Sequence, residues 1–221
     1  MTQSLCIDVF SDVVCPWCFI GAARLEQALK ALEGEVAAEV CYHPFYLDPT
    51  VPKAGISVPD KLRRKYGVEP KQLWARAETA ARDSGLELDL SLQPMMYPTA
   101  AAHTLLRHAH AKGTQPQLLM ALFSAYFQQA RDISDESVLA ELGSQHGFTR
   151  DEVLELTTSP QELALTAEEA QAAAAGGIRG VPFFIFGGRL AVSGAQAVSV
   201  LTAAIRQALA PADNDSLGAT T

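Results

Sequence analysis

Leu5, Ile7 and Val9 alternate with Cys6, Asp8 and Phe10, the period-two pattern of a strand with one buried face. Beyond a short gap, Phe19, Ile20, Leu25, Leu29 and Leu32 recur at helical spacing until Gly34. Pro16 suits the first turn of that helix, where its missing N–H costs nothing. Residues Val36 to Leu47 are rich in β-branched and aromatic types and read as a second strand. Strand, helix, strand in this order predicts a right-handed βαβ unit with parallel strands.

The pattern changes after Pro49. Pro52, Gly55 and Pro59 mark a linker, and helical periodicity then dominates to Gly176. It predicts helices over Asp60–Tyr66, Pro70–Asp83, Thr99–Lys112, Gln115–Arg131, Asp135–His146, Thr149–Thr157 and Pro160–Ala175. Ser134 with Ser137, and Thr149 before Asp151 and Glu152, resemble N-terminal capping signals. Strand character returns at Val181 to Phe186, followed by the turn signal Gly187-Gly188, a partner strand over Leu190 to Ser193 and a last helix over Ala197 to Leu209. Neither end of the chain makes a domain alone. Residues 1–50 and 177–210 are therefore expected to form one discontinuous α/β domain, with 58–176 as an inserted helical domain. The apolar-poor tail 211–221 is expected to be disordered.

The chain has 221 residues, 48% of them hydrophobic, enough for a sizeable core. Its net charge of −8 disfavours nucleic acid as a partner. The basic run Lys61-Leu62-Arg63-Arg64-Lys65 reads as one solvated helix face. No segment reaches the roughly 20 apolar residues of a membrane span. Met1 to Leu5 lacks the basic and apolar regions of a secretory signal. These features predict a cytoplasmic protein, a compartment in which structural disulfides are rare.

That expectation focuses attention on Cys15-Pro16-Trp17-Cys18, which joins a strand pattern to a helix pattern. A helix N-terminus presents unpaired N–H groups and the positive end of the helix dipole, an environment that stabilises a thiolate. C-x-x-C in this context reads as a dithiol exchange motif, with Cys15 as nucleophile and Cys18, one turn on, as resolving thiol. The competing reading is a metal site. A structural zinc needs four ligands, whereas Cys6 and Cys41 are isolated on other strands and no His pair follows in finger-like order; no metal is expected. Asp8 is open between an acid that takes the proton from Cys18 and a half-exposed strand residue. Asp12 reads as an exposed turn residue. The Val181–Pro182 bond, on base rates alone, reads as trans. Cys6 and Cys41, if their strands are adjacent, are open between a disulfide and buried free thiols, the free thiols being preferred, and His43 and His103 read as structural polar groups. Trp17, Phe19 and Ile20 are expected to form an apolar collar around the dithiol.

The stretches Asp8 to Gly21, His43-Pro44-Phe45-Tyr46-Leu47, Leu122 to Phe127, Asp132-Ile133-Ser134, Gly180-Val181-Pro182-Phe183-Phe184-Ile185 and Val192 to Gln196 resemble the DsbA-like branch of the thioredoxin superfamily, in particular its FrnE-like subgroup. The resemblance implies a thioredoxin fold with a large helical insertion, a cis Val181–Pro182 bond, and Cys15 and Cys18 as the redox pair. It also implies disulfide exchange with protein or peptide substrates docked on Pro16, Trp17, Val181 and Pro182. The dithiol is then the redox centre without a bound cofactor, and glutathione is a candidate reductant. Departures are Pro98 where relatives often carry Asn, no cysteine after Cys41, and Trp17 where some relatives carry His, which implies a less oxidising dithiol. Two other functions compete: a glutathione-dependent isomerase like 2-hydroxychromene-2-carboxylate isomerase and the kappa-class glutathione transferases, and a chaperone-like peptide-binding module.

Overall fold

β1 (Gln3–Ser11) buries Leu5, Ile7 and Val9, and Ser11 continues the same face. α1 (Pro16–Ala31) begins with Pro16 in its first turn and packs Leu25 and Ala28 against that face. β2 (Val36–Pro44) returns parallel to β1, in register from Gln3↔Val36 to Ser11↔Pro44. β2 stops three residues short of the Leu47 predicted for it, because its partner β1 ends at Ser11 and the chain there turns into the dithiol loop. Beyond it the Phe45 N–H donates to the Ser11 carbonyl (3.0 Å), and the Leu47 N–H donates to the Asp12 carboxylate (2.8 Å).

The computed structural model describes residues 2–211, so the expected tail 211–221 lies outside the described residues apart from Pro211. The insertion opens with β3 (Ile56–Ser57), α2 (Val58–Tyr66), α3 (Pro70–Arg82) and β4 (Met95–Met96), where β3 and β4 pair antiparallel. It continues with α4 (Ala100–Ala111), α5 (Gln115–Phe123), α6 (Glu136–Ser144), α7 (Arg150–Thr158) and α8 (Pro160–Ala175). The helix predicted to run to Arg131 instead passes into a π-helical turn at Ser124–Gln128. There the Gln129 N–H reaches the Ser124 carbonyl (3.1 Å) and the Arg131 N–H the Ala125 carbonyl (2.9 Å), spans too wide for an α-helix. The Gln93 side-chain amide donates to the Tyr126 and Arg131 carbonyls (3.2 Å each), satisfying acceptors that the widened turn leaves free. Thr149 and Glu152 form the reciprocal cap of α7, whereas α6 is capped by Asp135 rather than by Ser134.

β5 (Phe183–Phe186) lies antiparallel beside β1, and β6 (Leu190–Ser193) antiparallel beside β5, giving the sheet order β2-β1-β5-β6. Gly187 and Gly188 both take positive φ (58° and 65°) in the hairpin between them. α9 (Val198–Leu209) packs Leu201 and Ile205 onto the sheet face that α1 also covers. A mixed α/β thioredoxin fold results, built from both ends of the chain. The larger apolar core is shared: Cys18, Phe19 and Ile20 of α1 join Leu105, Leu122 and Phe123 of the inserted helices. The Phe19 ring stacks on Phe123 (5.1 Å) and Phe127 (6.0 Å).

Two contacts tie these parts together. Arg24 of α1 donates to Ser84 Oγ (2.7 Å), the Ala80 carbonyl (3.2 Å) and the Ala195 carbonyl (2.7 Å), bridging α3 and the segment after β6. Gly21, in the buried interior of α1, faces Pro182 so closely that a Cβ there would stand 2.8 Å from Pro182 Cγ and 3.2 Å from the Phe184 ring. A Gly→Ala change inside a helix ordinarily stabilises by up to about 1 kcal/mol. Here the crowding reverses the sign: Gly21→Ala is expected to destabilise by about 1–3 kcal/mol in urea unfolding. A more stable variant would contradict the contact.

Candidate active site

Cys15 is the N-cap of α1, with extended backbone (φ −97°, ψ 114°). Its N–H donates to the Asp12 carbonyl (3.0 Å), and its own carbonyl accepts from the N–H groups of Cys18 (3.0 Å) and Phe19 (3.2 Å). The turn after β1 and the first turn of the helix thus meet at this residue. Cys15 Sγ lies 3.9 Å from the Val181 carbonyl oxygen. The Val181–Pro182 bond is cis, against the base rate and as the resemblance implied. From the other side the Gly194 N–H donates to the Pro182 carbonyl (2.8 Å), so the loop is held by β6 as well as by Gly21.

Cys18 sits one turn behind and is buried. Burial pushes its thiol well above the usual range, and the Cys15 sulfur beside it adds to the rise. The Asp12 N–H and the Ser11 hydroxyl act in the opposite direction, favouring the thiolate. Ser11 Oγ is buried and makes no well-aligned hydrogen bond elsewhere. Its hydroxyl is therefore free to turn toward the sulfur as charge develops.

The acid behind the dithiol is not Asp8. Side chains alternate along a strand, and the Ile7/Val9 face meets α1, so Asp8 points to the opposite side of the sheet. There its Oδ1 lies 2.7 Å from His43 Nε2, and its charge raises the thiols of Cys6 and Cys41, burial being the larger cause. The β1 residue that does face Cys18 is Ser11, missed in the sequence although it extends the Leu5/Ile7/Val9 period. Asp12 is also corrected: it is 1% exposed rather than an exposed turn residue. Its carboxylate holds the Leu47 N–H and lies 3.3 Å from His103 Nε2, which fastens the dithiol turn to the end of β2 and to α4. His43 and His103 are thus both engaged with carboxylates.

Cys6 is exposed rather than buried, and Cys41 half-buried; all four cysteines are free thiols. Cys6 pairs across the ladder with Glu39 and Cys41 with Asp8. That two-residue offset places their Cα atoms about 8 Å apart, beyond disulfide reach. Asp8, Cys41 and His43 bring donor atoms within 4.8 Å of one another, a grouping that the spacing along the chain did not reveal because it spans two strands.

A cavity of about 510 Å³ opens over the dithiol, lined by Val14, Cys15, Pro16, Trp17 and Val181 and closed by residues of α2 and α3, including Trp74. Of the expected collar only Trp17 lines it. Phe19 and Ile20 are 2% and 0% exposed and belong to the core beneath. Among the described residues no helix is long and apolar enough to cross a membrane.

A family model described as "DSBA-like thioredoxin domain" matches residues 6–206. Among solved structures, a probable DsbA oxidoreductase from Streptomyces coelicolor is 31% identical, with a TM-score of 0.81 over 97% of this chain and 96% of that one. A 2-hydroxychromene-2-carboxylate isomerase shares the fold at 16% identity, with a TM-score of 0.72 over 91% of this chain and 95% of that one. An uncharacterized protein of Bacillus subtilis, YwbO, is 28% identical over 144 residues, which span 64% of this chain and 66% of that protein.

The raised Cys18 thiol has a direct consequence. In a Cys15→Ser protein, alkylation of Cys18 by iodoacetamide should climb about tenfold per pH unit between pH 7 and 9 without levelling, because only the thiolate reacts. Ser11→Ala should slow it at every pH. Peptide mapping of the alkylated protein measures both, and a plateau below pH 9 would contradict the assignment.

Proposed function

The chain belongs to the DSBA-like thioredoxin domain family, and on that premise we propose that it is a thiol–disulfide oxidoreductase working through Cys15 and Cys18. The observation that carries this reading is the placement of Cys15. It caps α1 on the wall of a cavity, with Cys18 one turn behind it in the core and the Val181 carbonyl 3.9 Å from its sulfur. The 31%-identical probable DsbA oxidoreductase supports it.

The chemistry follows from the positions. The Cys15 thiolate attacks one sulfur of a substrate disulfide, forming a mixed disulfide and releasing the first substrate thiolate. Cys18 then gives up its proton, which passes to the departing thiolate or to water, and attacks the Cys15 sulfur. The Cys15–Cys18 disulfide forms and the second substrate thiolate leaves, two electrons having passed to the substrate. Run backward, the same steps oxidise a dithiol. Burial keeps Cys18 protonated until it is needed, and Ser11 and the Asp12 N–H stabilise the charge as it forms. Asp8, first considered for the proton, has no part in this scheme: the proton goes to the departing thiolate or to water, and Ser11 with the Asp12 N–H only stabilises the charge. Trp17 and Pro16 flank the entering sulfur, and Val181 with Pro182 offers backbone to the substrate.

We assign the chain to the FrnE-like subgroup and to the cytoplasm, with glutathione as the thiol that re-reduces Cys15–Cys18. The second thiol behind the first separates this reading from glutathione-dependent isomerisation, which needs only one reactive group. Turnover of insulin and of hydroxyethyl disulfide with glutathione is the assay. Cys15→Ser should abolish it, and Cys18→Ala should accumulate a mixed disulfide on Cys15 detectable by mass. Full activity in Cys15→Ser would overturn the proposal.

A further inference from the structure

The cavity over Cys15 carries a charge pattern that the dithiol chemistry alone does not require. Three of its wall residues are cationic, Lys61, Lys65 and Arg76, and none is acidic, in a chain with 25 acidic and 17 basic side chains other than His. Lys61 is bound to Asp48, whose carboxyl it holds down to about 2 together with Thr50. Arg63 on the same helix turns away and pairs with Asp60 and Glu69. The run Lys61 to Lys65 is therefore not one solvated face: α2 divides it between solvent and cavity. Lys65 and Arg76 form no ion pair with a described carboxylate and stand exposed at the mouth. Behind them the wall is apolar, with Trp17, Leu73, Trp74, Met96 and Phe127.

A volume of about 510 Å³ has room for a whole small molecule beside the Val181 edge on which an extended chain would dock. Two cations without a described carboxylate partner, Lys65 lying over the Tyr66 ring (5.2 Å), complement an anion with an apolar body. We propose that the cavity selects small organic disulfides with a flat apolar body and an acidic group, seating the body between Trp17 and Trp74 and the acid at Lys65 and Arg76. The disulfide is thereby presented to Cys15, and exchange proceeds by the steps already given. This proposal rests on the thiol–disulfide reading, which names the reaction; the cavity names the substrate class.

Two probes separate charge from reactivity: the dianionic aromatic disulfide dithiobis(nitrobenzoate) and the neutral aromatic disulfide dithiodipyridine. Reduced protein is mixed with each in a stopped-flow instrument, and the second-order rate constants are compared. In Lys65→Glu/Arg76→Glu the dianion should slow about tenfold or more, while the neutral probe stays within about twofold of the parent protein. Lys65→Gln/Arg76→Gln should give a smaller change of the same sign, and added salt should narrow the parent protein's preference. Trp74→Ala should slow both aromatic probes and spare the small hydrophilic hydroxyethyl disulfide. An unchanged ratio of the two rates, or equal slowing of both probes in the charge variants, would overturn the substrate class while leaving the exchange reaction intact. A parent protein inert toward all three disulfides would overturn the thiol–disulfide reading itself, and this proposal with it.

Discussion

The contact between Gly21 and Pro182 is the constraint on which the rest of the site depends. It joins residues 161 positions apart in the chain, at the one place in α1 where a missing Cβ lets a loop ring rest on the helix. Because Pro182 is seated there, Val181 is delivered to Cys15, and β5 enters the sheet beside β1. Gly194 holds the far side of the loop, and Arg24, one turn along α1, bonds the Ala195 carbonyl. The same guanidinium reaches α3, so the helix that carries the dithiol is bonded both to the C-terminal half and to the insertion. A reactive group assembled from two distant segments needs such redundancy, since a displacement of about 1 Å is enough to degrade a catalytic geometry.

Within that frame both cysteines are buried, at 5% and 1% exposure, but only Cys15 borders the cavity. Cys15 stands at the end of α1 against a cavity, whereas Cys18 is enclosed by the core that Phe19, Phe123 and Phe127 build. Desolvation disfavours the Cys18 thiolate, and two local dipoles, a hydroxyl and a backbone N–H, soften that cost. The carboxylates near the site do structural work. Asp12 fastens the turn, and Asp8 is matched to His43 on the far face of the sheet.

The fold was largely legible in the chain. The period-two run at Leu5, Ile7 and Val9, the position of Pro16, and the Gly187-Gly188 hairpin each reflect a local rule that the tertiary structure obeys, and α8 occupies the residues its periodicity predicts. Errors arose where a local pattern met a partner distant in sequence. The end of β2 depends on the Asp12 carboxylate taking the Leu47 N–H. The π-helical turn depends on Gln93 reaching back to it. The choice between Asp8 and Ser11 needs only the alternation of the strand, but it also needs to be known which face α1 covers. Depth misled in the same way: Asp12 is buried against His103 of α4, and Cys6 is exposed because it points to the face of the sheet opposite α1, and neither neighbour is adjacent in sequence. Lys61 to Lys65 looks uniform as a string, and only the packing of α2 against α3 shows that its charges face two environments.

The insertion thus has two roles. It completes the core under Cys18, and it roofs the cavity in front of Cys15. Both depend on the unequal dithiol being the reacting centre, and one measurement tests that most directly. Reduced protein is mixed with one equivalent of hydroxyethyl disulfide, quenched in acid and peptide-mapped. The account predicts an intramolecular Cys15–Cys18 disulfide with Cys6 and Cys41 still free. An adduct on Cys6 or Cys41, with Cys15 and Cys18 left reduced, would contradict it.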